Sequence, residues 1–176
     1  EQVIKDNAKS NKDFKYVILR YFNVAGAEES LSIGECHEPE THLIPLVVKT
    51  ALGKRDKIMI FGDDYETFDG TCIRDYIHVD DLASAHLSVL EYLEENNSNI
   101  FNCGYGHGFS VKEVIQTVKK VSDIDFKVEV TSHREGDPAM LISDNSKILE
   151  YTNWKPKYDN LDYICKTALE WEKKNA

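Results

Sequence analysis

The sequence predicts a mixed α/β fold, and three observations carry that prediction. Residues 16–24 (YVILRYFNV) and 100–103 (IFNC) are nearly continuous in β-favouring residues, the pattern of strands buried on both faces of a parallel sheet. Segments with apolar residues three and four apart alternate with such runs. Capping residues and glycines mark where those segments begin and end. No internal repeat or long linker interrupts the order.

Taken in order, residues 1–9 read as the end of a helix, and residues 16–24 as one strand. Asn23-Val24-Ala25-Gly26 then leads into a polar, acidic loop reaching Thr41. Leu43, Val47 and Ala51 share a helical face with Ile44 and Val48, and Gly53 supplies the stop. Residues 57–61 (KIMIF) form a short strand that ends in the turn Gly62-Asp63-Asp64. Residues 72–79 (CIRDYIHV) read as a strand despite the Arg74, Asp75 and His78 inside it. Asp80 is the expected N-cap of the next helix, with Leu82, Val89, Leu90 and Leu93 on its apolar face. After the strand at 100–103, Ser110 and Glu113 make a capping box, followed at helical spacing by Val111, Val114, Ile115, Val118 and Val121. Residues 126–130 form a strand and Asp144 caps a short helix. Leu161, Ile164, Cys165, Ala168 and Leu169 mark the last helix. The two strands of parallel character are too few for a sheet of their own. They are expected to join a larger sheet completed by strands outside this chain.

Composition narrows the function classes. A net charge of −10 opposes binding to nucleic acid or to an anionic membrane surface, both of which need a basic face. No apolar run is long enough to span a bilayer. A phosphate-bearing ligand would have to be met by individual cations, which makes single arginines informative. The four cysteines, Cys36, Cys72, Cys103 and Cys165, contain no C-x-x-C pair, so they read as free thiols in a reducing cytoplasm rather than a zinc site.

Several residues invite a functional reading and also admit a plainer one. Gly104-Tyr-Gly-His-Gly108 follows a strand and precedes a helix, as a dinucleotide loop does. Its spacing is G-x-G-x-G, however, and Asp125 precedes the next strand instead of ending it, so the glycines read as turn residues. His86 falls on the apolar face of its helix and reads as semi-buried. His37 and His42 flank the acidic loop, and H-x-x-x-x-H spacing alone does not define a metal site; none is expected. Arg74 is open between an internal ion pair with Asp75 or Asp80 and a ligand contact, and spacing favours the ion pair. Arg134, in the turn His-Arg-Glu-Gly-Asp-Pro, is open between a solvated charge and a ligand contact. No nucleophile arrangement of Ser/His/Asp or Cys/His type can be read from spacing.

Three segments occur in a telling order: ILRYFNVAGA, THLIPLVVKTALGKRDKIMIFGDDYETFDGTCIRDYIHVDDLASAH and HREGDPAMLISDNSK. Together they resemble the carboxyl-terminal half of the UDP-galactose (UDP-glucose) 4-epimerases, of the extended short-chain dehydrogenase type, over essentially the whole chain. The stretch GDDYETFDGTCIRDYIHV is the most specific part, since related dehydratases and decarboxylases share only fragments of it.

The resemblance implies late Rossmann-type strands near 16–24 and 100–103 plus a small carboxyl-terminal α/β substrate-binding domain. Residues 1–176 would then be the substrate-binding portion, with the NAD-binding part outside this chain. The implied reaction is NAD-dependent inversion at sugar C4 through a 4-keto intermediate, with the UDP held firmly and the sugar loosely.

Carried across by the resemblance, Arg74 and Arg134 contact the diphosphate and Asp137 the ribose hydroxyls. Met59, Ile60 and Phe61 form the strand beside uracil. Asn23 reaches toward phosphate and sugar, and Phe22 lies beside the nicotinamide. His42 and Leu43 sit on the helix that covers the nucleotide, where many relatives have asparagine in place of His42. Tyr76 neighbours the substrate. Leu141 stands where a tyrosine would crowd out an N-acetyl group, and it is open between ordinary wall packing and a role that implies acceptance of UDP-N-acetylglucosamine as well.

The family's glycine-rich NAD loop, catalytic serine or threonine and Tyr-x-x-x-Lys pair are expected upstream, with Glu1 just after that lysine. The chain alone is therefore expected to be inactive and poorly stable. The resemblance also implies a homodimer for the intact enzyme and leaves the assembly of this stretch open. The alternatives are a nucleotide-sugar dehydratase or decarboxylase, or a non-catalytic nucleotide-sugar-binding module.

Overall fold

The computed structural model describes residues 1–175. Helix α1 (Gln2–Ser10) opens the chain, followed by strands β1 (Val17–Tyr21) and β2 (Asn23–Ala25). After the acidic loop come α2 (Leu43–Ala51), β3 (Ile58–Phe61), β4 (Ile73–Arg74) and β5 (Tyr76–His78). Next are α3 (Val79–Glu95), β6 (Asn99–Cys103), β7 (Phe109–Ser110) and α4 (Val111–Ser122). The chain closes with β8 (Val128–Thr131), β9 (Met140–Leu141), α5 (Ser146–Tyr151) and α6 (Leu161–Lys174). No helix among the described residues is long and apolar enough to cross a membrane.

Parallel pairing dominates, as the buried runs foretell. β1 lies against β6 with Val17 opposite Asn99, β2 against β5 with Asn23 opposite Tyr76, and β3 against β8 with Ile58 opposite Val128. β4 is flanked by antiparallel β7 and parallel β9, which sets Arg74 opposite both Phe109 and Leu141. Helices α2, α4 and α6 pack on one another. Their contact buries Val47 and Val48, Val114 and Val118, and Ile164 and Leu169, each contributing about 1.5–3 kcal/mol. Helix α3 covers β1, β2 and β5.

The single strand expected over 16–24 is two strands that part at Phe22. The Asn23 amide donates to the Asp75 carbonyl at 3.0 Å, so the chain leaves β6 and takes β5 as its neighbour. It is also not buried on both faces, because Tyr21 is 57% exposed. CIRDYIHV likewise splits, at Asp75, into β4 and β5, each pairing with different strands. The strand expected at 126–130 starts two residues later and ends one later, and β7 and β9, two residues each, are too short for periodicity to reveal.

The caps are partly as expected. Helix α2 has Leu52 as its C-cap, and Gly53 adopts φ +72°, where its amide donates to the Thr50 carbonyl and that of Lys54 to the Lys49 carbonyl. The capping box of α4 is complete: Ser110 Oγ accepts from the Glu113 amide at 3.0 Å, and Glu113 accepts from the Ser110 amide at 2.7 Å. Helix α3 is capped by His78, not Asp80. The His78 backbone is still extended and its Nδ1 accepts from the Asp80 amide at 3.2 Å, which leaves Asp80 in the first turn. Leu90 is 60% exposed, so the buried face of α3 runs through Asp81, Ala85 and Val89 instead. His86 is exposed rather than semi-buried, and its Nδ1 lies 2.8 Å from the Leu82 carbonyl. Asn145, not Asp144, is the N-cap position of α5, although the Asp144 carboxylate does accept from the Ser146 amide at 3.1 Å.

Candidate functional site

A cavity of about 300 Å³ opens between the start of α2, strand β3, strands β4 and β5, and the turn that follows β8. It is the size of a small-ligand site. Asn23, His42, Leu43, Met59, Ile60, Phe61, Arg74, Tyr76, Arg134 and Asp137 all line it. These come from distant parts of the chain and meet because β4–β5 sits beside β2 while β3–β8 carries its own loop across the opening. Phe22 and Leu141 do not line it. Phe22 is half-buried at the break between β1 and β2, and Leu141 is 48% exposed on β9, opposite Arg74.

Arg74 is the most enclosed cation here, its side chain only 12% exposed. It donates from Nη1 to the Ile73 carbonyl at 2.7 Å and from Nη2 to Asp137 Oδ1. The ion pair expected with Asp75 or Asp80 is thus made with Asp137 instead. Asp75, at the break between β4 and β5, is not its partner because its carboxylate is taken by Tyr105, Gly106 and Ser143. Its remaining guanidinium protons can still bind a ligand anion.

Arg134 stacks its guanidinium 3.9 Å from the centroid of the Phe61 ring, so it is held in place rather than simply solvated. Arg55 completes a set of three arginines and was not singled out from the sequence, although GKRDK just before β3 is a local basic cluster. Neither Arg55 nor Arg134 has a carboxylate partner among the described residues, whereas the other two arginines, Arg20 and Arg74, do. Two unneutralised guanidinium groups therefore stand at one opening of a chain of net charge −10, an arrangement suited to a phosphate-bearing ligand.

The apolar and main-chain lining is complementary. β3 pairs on one edge only among the described residues. The Ile58 amide donates to the Lys127 carbonyl at 3.0 Å and the Gly62 amide to the Thr131 carbonyl at 2.9 Å. Alternation then turns the amides of Met59 and Phe61 to the unpaired edge, where they can meet a planar polar group. Tyr76 is 4% exposed, and burial raises the pKa of its phenol well above the usual tyrosine range. It therefore acts as a neutral hydrogen-bonding group. Leu46, Ile58, Cys72 and Val111 add apolar wall, and no motif in the sequence marks them for it.

The glycine loop at 104–108 is not a phosphate site. The wholly buried Asp75 carboxylate occupies that role, accepting from the Tyr105 amide at 2.9 Å and the Gly106 amide at 3.1 Å. A Cβ on Gly104 would lie 2.5 Å from both Asp75 Oδ2 and Ser143 Oγ, so the glycine is required by this carboxylate. The turn reading of these glycines is the one the geometry supports.

The chain is similar in sequence and fold to known proteins. A family model described as the NAD dependent epimerase/dehydratase family matches residues 1–104. The curated UDP-glucose 4-epimerase of Halalkalibacterium halodurans is 49% identical over 162 residues, covering 92% of this chain and 48% of the relative. The solved structure of the UDP-Glc/GlcNAc 4-epimerase from Campylobacter jejuni is 60% identical with a TM-score of 0.84, covering 98% of this chain and 53% of that one. UDP-glucose 4-epimerase from Bifidobacterium longum, solved in complex with NAD+ and UDP, is 36% identical with a TM-score of 0.92, covering 99% and 52%. The chain spans about half the length of the curated relatives it matches.

Proposed function

Because the chain belongs to the NAD dependent epimerase/dehydratase family, we propose that its cavity holds the UDP portion of a UDP-sugar in an enzyme that interconverts UDP-glucose and UDP-galactose. The observation that carries this reading is the convergence of Arg74, Arg134 and Asp137 with the unpaired edge of β3 on one cavity. Arg74 and Arg134 take the diphosphate, Arg74 through charge-assisted hydrogen bonds and Arg134 from its perch on Phe61. Asp137 accepts from the ribose hydroxyls. The main chain at Met59 and Phe61 reads the uracil edge, with Ile60 between them on the same strand. Asn23 and Tyr76 lie on the sugar side, and His42 and Leu43 close the cavity from α2.

This division fits the chemistry of epimerisation at C4. Firm hold on the nucleotide leaves the sugar free to present either face to the reacting centre. The described residues do not fit NAD themselves, since Asp75 uses the amides of the one glycine loop of suitable kind. NAD, with its redox chemistry, is assigned to the half of the family fold that this chain does not span, with only Phe22 reaching toward the nicotinamide. The whole of residues 1–176 thus belongs to the substrate-binding portion, and the β1–β6 pair is its share of the Rossmann sheet.

Substrate range follows from Leu141, opposite Arg74 on β9, whose modest bulk leaves room for a 2-N-acetyl group. The Campylobacter relative, described as acting on UDP-Glc and UDP-GlcNAc, supports this reading. Cytoplasmic placement accords with four unpaired cysteines. A homodimer accords with α1, which buries no residue and leaves Val3 82% exposed. Sedimentation of the full-length protein as a monomer at micromolar concentration would reject the dimer.

The deciding experiment supplies the full-length protein with UDP-glucose and NAD and follows UDP-galactose by chromatography. Equilibration of the two sugars is expected. Binding of UDP without conversion would make the protein a nucleotide-sugar-binding module, and failure to bind UDP would remove the reading altogether.

A further inference from the structure

The acidic loop before α2 contains four residues whose side chains converge: Glu35, His37, Glu40 and His42. One ligand atom from each lies within 4.8 Å of all the others. His42 Nδ1 touches Glu35 Oε1 and lies 3.3 Å from Glu40 Oε1, while His37 Nδ1 lies 3.8 Å from the same Glu40 oxygen. A tetrahedral zinc ion with bonds near 2.0–2.2 Å separates neighbouring ligand atoms by roughly 3.3–3.6 Å; the two distances to Glu40 are close to this, and the His42–Glu35 contact would have to open to admit the ion. We propose that Glu35, His37, Glu40 and His42 bind one zinc ion, which fastens this loop to the start of α2.

The electrostatics of the loop favour a cation over internal pairing. Two carboxylates face the single Nδ1 of His42, which has at most one proton to donate there. The Glu40 side chain is only 7% exposed, and its Oε1 already accepts the amides of Thr41 and His42 at 2.7 and 2.8 Å. A second carboxylate beside it, so withdrawn from water, is costly unless positive charge is added. A divalent ion neutralises both glutamates while the histidines remain neutral ligands.

The donor set chooses the metal. Two imidazoles with two carboxylates suit zinc, whereas magnesium and calcium prefer sites made wholly of oxygen. Four protein ligands close the shell, which makes the ion structural rather than catalytic. Its consequence reaches the cavity, because His42 is both a ligand and the residue that starts α2. The loop is also tied to α6, where Trp171 Nε1 donates to the Glu35 carbonyl at 2.8 Å.

The test measures zinc in the full-length protein after exhaustive dialysis against metal-free buffer, alongside His37→Ala and Glu35→Gln. Both residues lie outside the cavity lining. About one zinc per chain is expected in the parent protein, with affinity at least ~10-fold weaker in each variant by competition with a zinc indicator. Cobalt substitution should give the visible bands of four-coordinate geometry in the parent, and circular dichroism should show the variants folded. Less than half a zinc per chain in the parent, or equal zinc affinity in parent and both variants, overturns the proposal.

Discussion

Ser143 donates twice to Asp75, from its amide at 3.2 Å and from its hydroxyl at 2.6 Å, both to Oδ2. The same carboxylate takes the amides of Tyr105 and Gly106. One buried side chain thereby joins three segments behind the cavity: the β4–β5 junction, the glycine loop and the end of β9. Asp75→Asn presents an amide nitrogen to groups that all donate, stranding at least one of them at a cost on the order of 3 kcal/mol. The expected result is a drop in Tm of roughly 10 °C for a domain of this size. An unchanged Tm by differential scanning calorimetry would show that the network is dispensable.

Arg74 serves the ligand in the proposed site, yet its Nη2 also holds Asp137. Arg74→Ala removes both functions, so affinity for UDP should fall about 10- to 100-fold, the worth of charge-assisted hydrogen bonds. Arg74→Lys should not restore it, because an ammonium cannot span Asp137, the Ile73 carbonyl and a phosphate with one planar fork. Titration calorimetry with UDP reads both variants. Unaltered affinity would make the Arg74–Asp137 pair purely structural.

Leu141 lies opposite Arg74 on β9, outside the cavity lining, and in the proposed site it borders the sugar. Leu141→Tyr adds bulk on the sugar side. The ratio of kcat/KM for UDP-N-acetylglucosamine to that for UDP-glucose should fall by about 10-fold or more, the usual discrimination of a filled pocket. Equal ratios in parent and variant would assign Leu141 to ordinary wall packing.

His78 is wholly buried, with the rings of Tyr158 and Tyr163 at 4.9 and 5.3 Å. Burial lowers its pKa below the ordinary 6.5, against the smaller opposing pull of Asp80 and Asp81. Below that value the unfolded chain binds the proton more readily than the folded one. Stability conferred by neutral His78 is therefore complete above about pH 6.5, falls as the pH drops through it, and levels off below the folded-state value. His78→Asn keeps an oxygen to cap the Asp80 amide and removes the titration. Its Tm should fall less than that of the parent between about pH 7.5 and 5.5. Parallel pH profiles would place the acid sensitivity elsewhere.

Much of the fold was legible because its signals are local. The capping box at Ser110 and Glu113, the stop at Gly53 and the apolar spacing of α2, α4 and α6 depend on neighbours within a turn or two. The plain reading of Gly104-Tyr-Gly-His-Gly108 also followed from spacing, and the structure supplied the carboxylate that explains it. Less legible were the breaks at Phe22 and Asp75, the exposure of Leu90 and His86, and the cap on α3. Each depends on which distant segment lies alongside, and apolar periodicity is blind to that.

The candidate site shows the same boundary. By itself the sequence determined the α/β class and most helices, and the family that its ordered motifs resemble implied ten residues that line one cavity. Only the tertiary structure decided what those residues face. Arg74 turns to Asp137, 63 positions away in sequence, while its neighbour Asp75 turns inward to Ser143. Arg134 rests on Phe61, Arg55 joins the same opening, and Glu35, His37, Glu40 and His42 converge within one loop. The physical reason is that helix and turn preferences act over a few residues, whereas a charge chooses its partner by distance and burial in space.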